Sequence, residues 1–149
     1  MEYRIRTCEE RDLPVLIDLC AKHAAYEKAD FDPQDKEILL KAALFAEKPS
    51  LYCLFVEIDE NVVGYASYTF DYSTWSAATF LHLDCLFLDE CYRGFGIGEA
   101  MLLHIKEIAK VKGCCNVQWQ TPVFNERAIK FYKRIGGQSK DKVRFTMTV

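Results

Sequence analysis

The chain has 149 residues, half of them hydrophobic and 28% charged, with a formal net charge of −3. That length suits one domain, residues 1–149, with a real core. The composition excludes a disordered chain, the acidic balance argues against a nucleic-acid partner, and no apolar run approaches the roughly 18 residues of a membrane span.

Taken in order, Tyr3 to Thr7 alternates and predicts a short strand. Asp12 is placed to cap a helix whose one face carries Leu13, Leu16, Ile17, Cys20 and Ala24, with Pro14 in its first turn, ending near Tyr26-Glu27. Asp30 to Pro33 reads as a turn, and Pro33 opens a second helix to about Ala46, where Lys48-Pro49-Ser50 breaks it. Leu51–Ile58 and Val62–Asp71 are strand-like runs joined by Asp59-Glu60-Asn61, a hairpin. Tyr72 to Ser76 is a loop carrying Trp75, and Phe80 to Leu88 has the length and composition of a buried strand. After Arg93-Gly-Phe-Gly-Ile-Gly98, the residues Ile97, Met101, Ile105 and Ile108 recur as the stripe of an amphipathic helix ending at Gly113. Cys114 to Thr121 is a further strand, stopped by Pro122. Phe124 to Gly137 is a last helix, capped by Asn125, with Ala128, Tyr132 and Ile135 on one face. Lys142 to Val149 alternates as a final strand. Strands joined both by hairpins and by helices imply an α/β (α+β) fold with a mixed sheet.

The strand, glycine-rich loop and helix between Phe80 and Lys112 are the centre of the functional argument. A helix N-terminus has unpaired N–H groups and the positive end of a dipole, and glycines let an anion approach the backbone. The loop therefore reads as a phosphate or pyrophosphate cradle. It is not a Walker A loop, because Glu99-Ala100 stands where Gly-Lys-Ser/Thr is needed, and it lacks the third glycine of the dinucleotide fingerprint.

The spacing that fits is Arg93-x-x-Gly96-x-Gly98, which resembles the acyl-CoA loop of the GNAT N-acetyltransferases. A second segment, Asn125-x-x-Ala128-x-x-Phe131-Tyr132-x-x-x-Gly136, resembles the Asn…Ala…Phe-Tyr…Gly segment of the same family and follows in the same order. Phe70-Asp-Tyr-Ser-Thr-Trp75, Tyr26-Glu27 and the Phe80 strand narrow the likeness to the diamine acetyltransferases, the spermidine/spermine and thialysine group. Tyr72-Ser73-Thr74-Trp75 is closer to the thialysine branch, since the polyamine branch has an aspartate at Ser73. The group's Glu-Asp pair is replaced here by Asp84-Cys85, which leaves fewer acids for a long polyamine.

The resemblance implies a GNAT fold, a mostly antiparallel sheet flanked by about four helices. It also implies transfer of an acetyl group from acetyl-CoA to a small primary amine by direct attack in a ternary complex, and a homodimer. The residues it implies for acetyl-CoA are Leu86, Phe87 and Leu88 as backbone for the pantetheine arm, Arg93, Gly94, Phe95, Gly96, Ile97 and Gly98 for the pyrophosphate, and Asn125, Tyr132 and Lys133. Tyr132 is expected as general acid to the departing thiolate and Asp84 as base, through a water because its side chain is short. Tyr26, Glu27, Asp71, Trp75 and Asp84 are expected around the amine. The alternatives are acetylation of a protein amine and a non-catalytic acyl-CoA sensor. An acetylated Cys85 or Cys91 is disfavoured: activation would need a nearby histidine or a lowered pKa, and although His82 is close in sequence, residues three apart on a strand point to opposite faces.

The seven cysteines are odd in number and include no Cys-x-x-Cys pair, which argues for reduced thiols. The three histidines show no metal-ligand spacing with them, so no metal is expected. The first residues, Met1 to Arg6, lack a signal peptide's apolar segment. A cytoplasmic protein with no membrane partner is the expectation.

Overall fold

The computed structural model describes residues 1–149. Five strands form one sheet in chain order: β1 (Arg4–Thr7), β2 (Tyr52–Ile58), β3 (Asn61–Ser73), β4 (Ala78–Leu88) and β5 (Val117–Gln118). The first four are antiparallel, and β5 runs parallel to β4. Four helices flank the sheet: α1 (Leu13–Tyr26), α2 (Lys36–Leu44), α3 (Ile97–Val111) and α4 (Glu126–Arg134). No helix is long and apolar enough to cross a membrane.

Alternation along the strands builds a core on each face. Leu54, Val56 and Ile58 of β2 pack with Ile97, Met101 and Ile105 of α3. Cys53 and Phe55 turn the other way, onto Leu13, Leu16 and Leu19 of α1 and Leu44 of α2. Phe131, Tyr132 and Ile135 bring α4 to the α3 side. Ile97, Met101 and Ile105 are no more than 1% exposed, and burial of each such side chain stabilises by about 1.5–3 kcal/mol. The β2–β3 turn is two residues, Asp59 and Glu60, both at positive φ (48° and 64°), the conformation that matches the twist of paired strands.

Two irregularities shape the functional side of the sheet. Ser67 pairs with Cys85 and Tyr68 with Leu83, so Asp84 is the extra residue of a β-bulge. The bulge reverses the side-chain parity of β4: Leu81 and Leu83 face α3, whereas Cys85 and Phe87 face α1. The β4–β5 ladder consists of only Leu81 with Val117 and His82 with Gln118. From the bulge onward β4 has no partner on that side. The strand expected over Cys114–Thr121 is therefore cut to two residues, because β5 diverges where β4 bulges.

Three other expectations are corrected. Lys142–Val149 forms no strand; Val143, Phe145 and Met147 are 78–89% exposed. Alternation shows that a segment can present two faces, but a strand exists only when an edge pairs with it. Asp12 precedes α1 without capping it. Its carboxylate accepts from Arg6 Nη1 and Nη2 (2.7 and 2.9 Å) and from the Glu9 amide, while Arg6 Nε also donates to Glu57 (2.8 Å). This three-residue network ties β1, β2 and the start of α1, and the Arg6 pairing holds the Asp12 carboxyl below its usual range. Finally, α2 begins at Lys36 rather than Pro33, after Asp35 in a left-handed conformation.

Candidate active site

The divergence of β4 and β5 opens a cavity of about 1500 Å³, larger than the roughly 300–1,000 Å³ of an ordinary small-ligand site. Leu86, Phe87 and Leu88 of the unpaired β4 edge line it, with the glycine loop, the end of α1, the segment from Trp119 to Val123, and α4. An unpaired edge offers N–H and C=O groups to any extended ligand with amides of its own.

Gly94 and Gly96 sit at positive φ (86° and 79°), with open space where a Cβ would stand. They are required by backbone conformation, and the space leaves the loop accessible. Gly98 differs: a Cβ there would lie 3.3 Å from the Phe131 ring, so its smallness lets α3 meet α4. No side chain caps the N-terminus of α3, leaving the N–H groups of its first turn available. Arg93 turns its side chain inward. Its Nε donates to the Leu88 carbonyl (2.7 Å), and its guanidinium lies 4.5 Å from the Tyr26 ring and 5.5 Å from Phe87. The arginine of the motif thus braces the loop against β4 and α1, leaving the loop's backbone to meet a ligand.

Phe95 and Ile97 are left with only their backbone to offer an anion, and Lys133 lies off the cavity. Phe95 projects to solvent, Ile97 is in the core, and neither side chain lines the cavity. Lys133 is exposed off the cavity side of α4, which instead presents Arg127, Lys130, Phe131 and Arg134 at helical spacing. Lys142 and Arg144 join these to make a basic rim. Asn125 lines the cavity, but its amide is already engaged: Oδ1 accepts from the Ala128 amide and Tyr26 Oη, and Nδ2 donates to Thr121, each at 3.3 Å.

Tyr132 packs its ring on Trp119 and Phe131 (5.2 and 5.3 Å between centroids). The residue lines the cavity. Burial, then the nearby Glu27 charge and Tyr26, push its hydroxyl up to about 12, so the phenol holds its proton throughout the neutral range. Asp84 also lines the cavity. The bulge turns it out, so it is an exposed carboxylate on the cavity wall rather than a charge inside an apolar strand. Tyr26 and Glu27 complete this group. Asp71 and Trp75 do not belong to it. Asp71 pairs opposite Phe80, four residues from Asp84, or about 13 Å of strand. Trp75 is 99% exposed at the tip of the hairpin, which runs on beyond the sheet.

The bulge also corrects the geometry of Cys85. With parity reversed, His82 and Cys85 share a face, although they lie three apart. What excludes a nucleophile is burial, which pushes the Cys85 thiol up to about 11 and removes the thiolate that would attack. All seven cysteines are free thiols. No group of three or more His, Cys, Asp or Glu side chains is arranged to hold a metal ion.

His23, absent from the sequence argument, faces this cavity with a side chain 12% exposed. The signal for it was present: His23 on α1 and Glu27 at its C-cap are four apart, in line with Leu16 and Leu19/Cys20.

Over residues 16–137 the chain matches the family model described as the acetyltransferase (GNAT) family. It is 34% identical over 142 residues to a thialysine N-epsilon-acetyltransferase of Bos taurus, covering 90% of this chain and 83% of that one. It is 29% identical to a human spermidine/spermine N(1)-acetyltransferase-like protein 1, covering 90% of this chain and 20% of that longer one. In fold it is similar to an aminoglycoside N-acetyltransferase solved in complex with CoA, with a TM-score of 0.82 at 17% identity over 99% of this chain and 95% of that one.

Proposed function

This chain belongs to the GNAT acetyltransferase family and is an N-acetyltransferase, and from that premise we propose that it moves the acetyl group of acetyl-CoA to a small primary amine, lysine-like or diamine, by direct attack in a ternary complex. One observation carries the proposal: a single cavity joins an uncapped helix start, an unpaired strand edge, a protonated phenol and the carboxylates of Glu27 and Asp84.

The first turn of α3 and the loop from Arg93 to Gly98 hold the pyrophosphate, and the basic rim of Arg127, Lys130 and Arg134 takes the remaining phosphate charge. Leu86 to Leu88 receive the pantetheine amides as an added strand would be received. Glu27 and Asp84 attract the substrate's ammonium. An alkylamine of pKa near 10.4 is neutral in only about one molecule in 2,500 at pH 7, so its proton must be removed in the site. Asp84, open to the cavity, orders the water through which that proton leaves. Tyr132 donates its proton to the thiolate as the C–S bond breaks. With Ser73 and Cys85 where acids would suit a polyamine, lysine-like amines such as thialysine and short diamines rank above spermidine.

Initial rates with both substrates varied test the order of events. Intersecting double-reciprocal lines are expected for a ternary complex. Parallel lines with an acetylated protein isolated in the absence of amine would reject it.

The chain acts as a homodimer in a reducing compartment, the cytoplasm, on this proposal. The seven free thiols support the compartment. The exposed row Val143, Phe145 and Met147 supports the dimer, because a second copy would cover it. Light scattering should give twice the chain mass, and a Phe145→Ser, Met147→Ser protein the monomer mass; a monomeric wild type contradicts it.

A further inference from the structure

His23 stands in the wall of the cavity, held on three sides. Its ring stacks on Phe87 (5.3 Å, 25°) and meets Tyr65 edge-on (5.9 Å). Nδ1 lies 2.9 Å from Tyr65 Oη, a hydrogen bond. Nε2 lies 3.6 Å from Glu27 Oε1, beyond hydrogen-bond reach but within strong attraction once the ring is charged. Tyr65 is buried at 2% exposure. The other polar neighbours of its hydroxyl are the sulfurs of Cys20 and Cys85.

We propose that His23 is the group that receives the amine's proton, with Tyr65 fixing the ring and Glu27 serving as its counter-ion. The inference rests on the acetyl-transfer reading of the cavity. The role requires the tautomer in which Tyr65 Oη accepts the Nδ1–H and donates its own hydrogen toward sulfur, leaving the Nε2 lone pair toward the cavity. Burial lowers the affinity of the ring for a proton, and the Glu27 and Asp84 charges partly restore it, against Arg93. The groups around His23 are thus Glu27 just past α1, Tyr65 of β3, Asp84 of β4 and Arg93 of the loop, with Cys20 of α1 and Cys85 of β4 beside the Tyr65 hydroxyl. The ring is neutral at pH 7 and gains a counter-ion when it charges. Glu27 acts on both His23 and Tyr132, so the proton's start and finish lie under one carboxylate.

The balance closes. The ammonium first loses one proton to bulk solvent through the water that Asp84 orders. The neutral nitrogen then bonds to the acetyl carbon, and its second departing proton passes through water to Nε2. The C–S bond breaks, and the Tyr132 proton goes to sulfur. His23 then returns its proton through cavity water to the Tyr132 oxygen. Of the two protons that leave nitrogen, one is in solvent and the other is balanced by the one now on the thiol, and both side chains are restored.

The test is the pH dependence of kcat/KM for wild type, His23→Gln and His23→Ala, with acetyl-CoA binding and thermal melting as checks of folding. Wild-type activity should fall tenfold per pH unit below a midpoint under 6.5, where the ring is protonated. His23→Gln should lose about 100-fold in kcat at neutral pH and lack that acid limb, with acetyl-CoA affinity unchanged. Added imidazole should restore part of the His23→Ala rate. A wild type active on amines, with His23→Gln within threefold and the acid limb intact, overturns the assignment. A wild type inactive on every amine instead overturns the reading beneath it. Should the variants not fold, nitrogen-15 NMR of the wild type decides: a neutral ring protonated at Nδ1 supports the assignment, and one protonated at Nε2 rejects it.

Discussion

Replacing Tyr132 with phenylalanine separates chemistry from stability more cleanly than any other change in this site. The ring stacks on Trp119 and Phe131 at 5.2 and 5.3 Å, and phenylalanine keeps both contacts. The hydroxyl makes no hydrogen bond to another side chain or to the backbone, so its removal orphans no partner. Stability should therefore change by less than about 0.5 kcal/mol, or about 2 °C in Tm for a domain of this size. Catalysis should change far more. Loss of a positioned acid costs roughly 10²- to 10⁴-fold, equivalent to about 2.7–5.4 kcal/mol of transition-state stabilisation. Thiol release at saturating acetyl-CoA gives kcat, with KM for acetyl-CoA expected to stay within about twofold. Turnover within threefold of wild type would refute the acid role. So would a fall in Tm large enough to account for the lost activity.

Asp12→Ala leaves the half-buried Arg6 with Glu57 and the Thr7 carbonyl but removes two of its charge-assisted hydrogen bonds, and should cost about 1.5–3 kcal/mol in urea unfolding; a loss under about 0.5 kcal/mol would mean the network contributes little. Because Arg6 depresses the Asp12 carboxyl in the folded state, its stabilisation is full above the unfolded value near 3.9 and is lost as pH falls through the lower folded value. Asp12→Asn should accordingly be less sensitive to acid below pH 4 than wild type, and an equal slope would contradict that sign. Gly94→Ala and Gly96→Ala each place a Cβ at a left-handed position, costing about 1–2 kcal/mol. Each should also weaken acetyl-CoA binding by calorimetry, and unchanged affinity would remove the loop from the cofactor site. Cys85→Ala should keep turnover within about threefold, since a thiol near 11 is ionised in only about one molecule in ten thousand at pH 7; an inactive but folded variant would restore the cysteine mechanism.

What sequence made legible was whatever repeats locally. The stripe of Ile97, Met101, Ile105 and Ile108 and the apolar run before the loop define strand, turn and helix, and α3 and β4 form as expected. Asn125 caps α4 as its residue type suggests. Properties of pairing were not legible. The Asp84 bulge depends on the register between β3 and β4, and no single strand contains it. Lys142–Val149 has a strand's alternation without an edge to join. Asp12 has a cap's chemistry, but Arg6 from β1 takes its carboxylate. On α4 the choice between Lys133 and Arg134 turns on helix phase against a cavity whose position only the fold supplies. His23 is one helical histidine until Tyr65, Phe87 and Glu27 converge on it.

The central claim, acetyl transfer to a small amine, is tested most directly by mass spectrometry of products formed with acetyl-CoA and an amine panel: thialysine, lysine, a short diamine, spermidine and a peptide with a free N-terminus. The account predicts acetylated thialysine or diamine formed faster than acetylated spermidine, and no product without acetyl-CoA. Acetylation of the peptide alone, or binding of acetyl-CoA with no acetylated product from any amine, would contradict it.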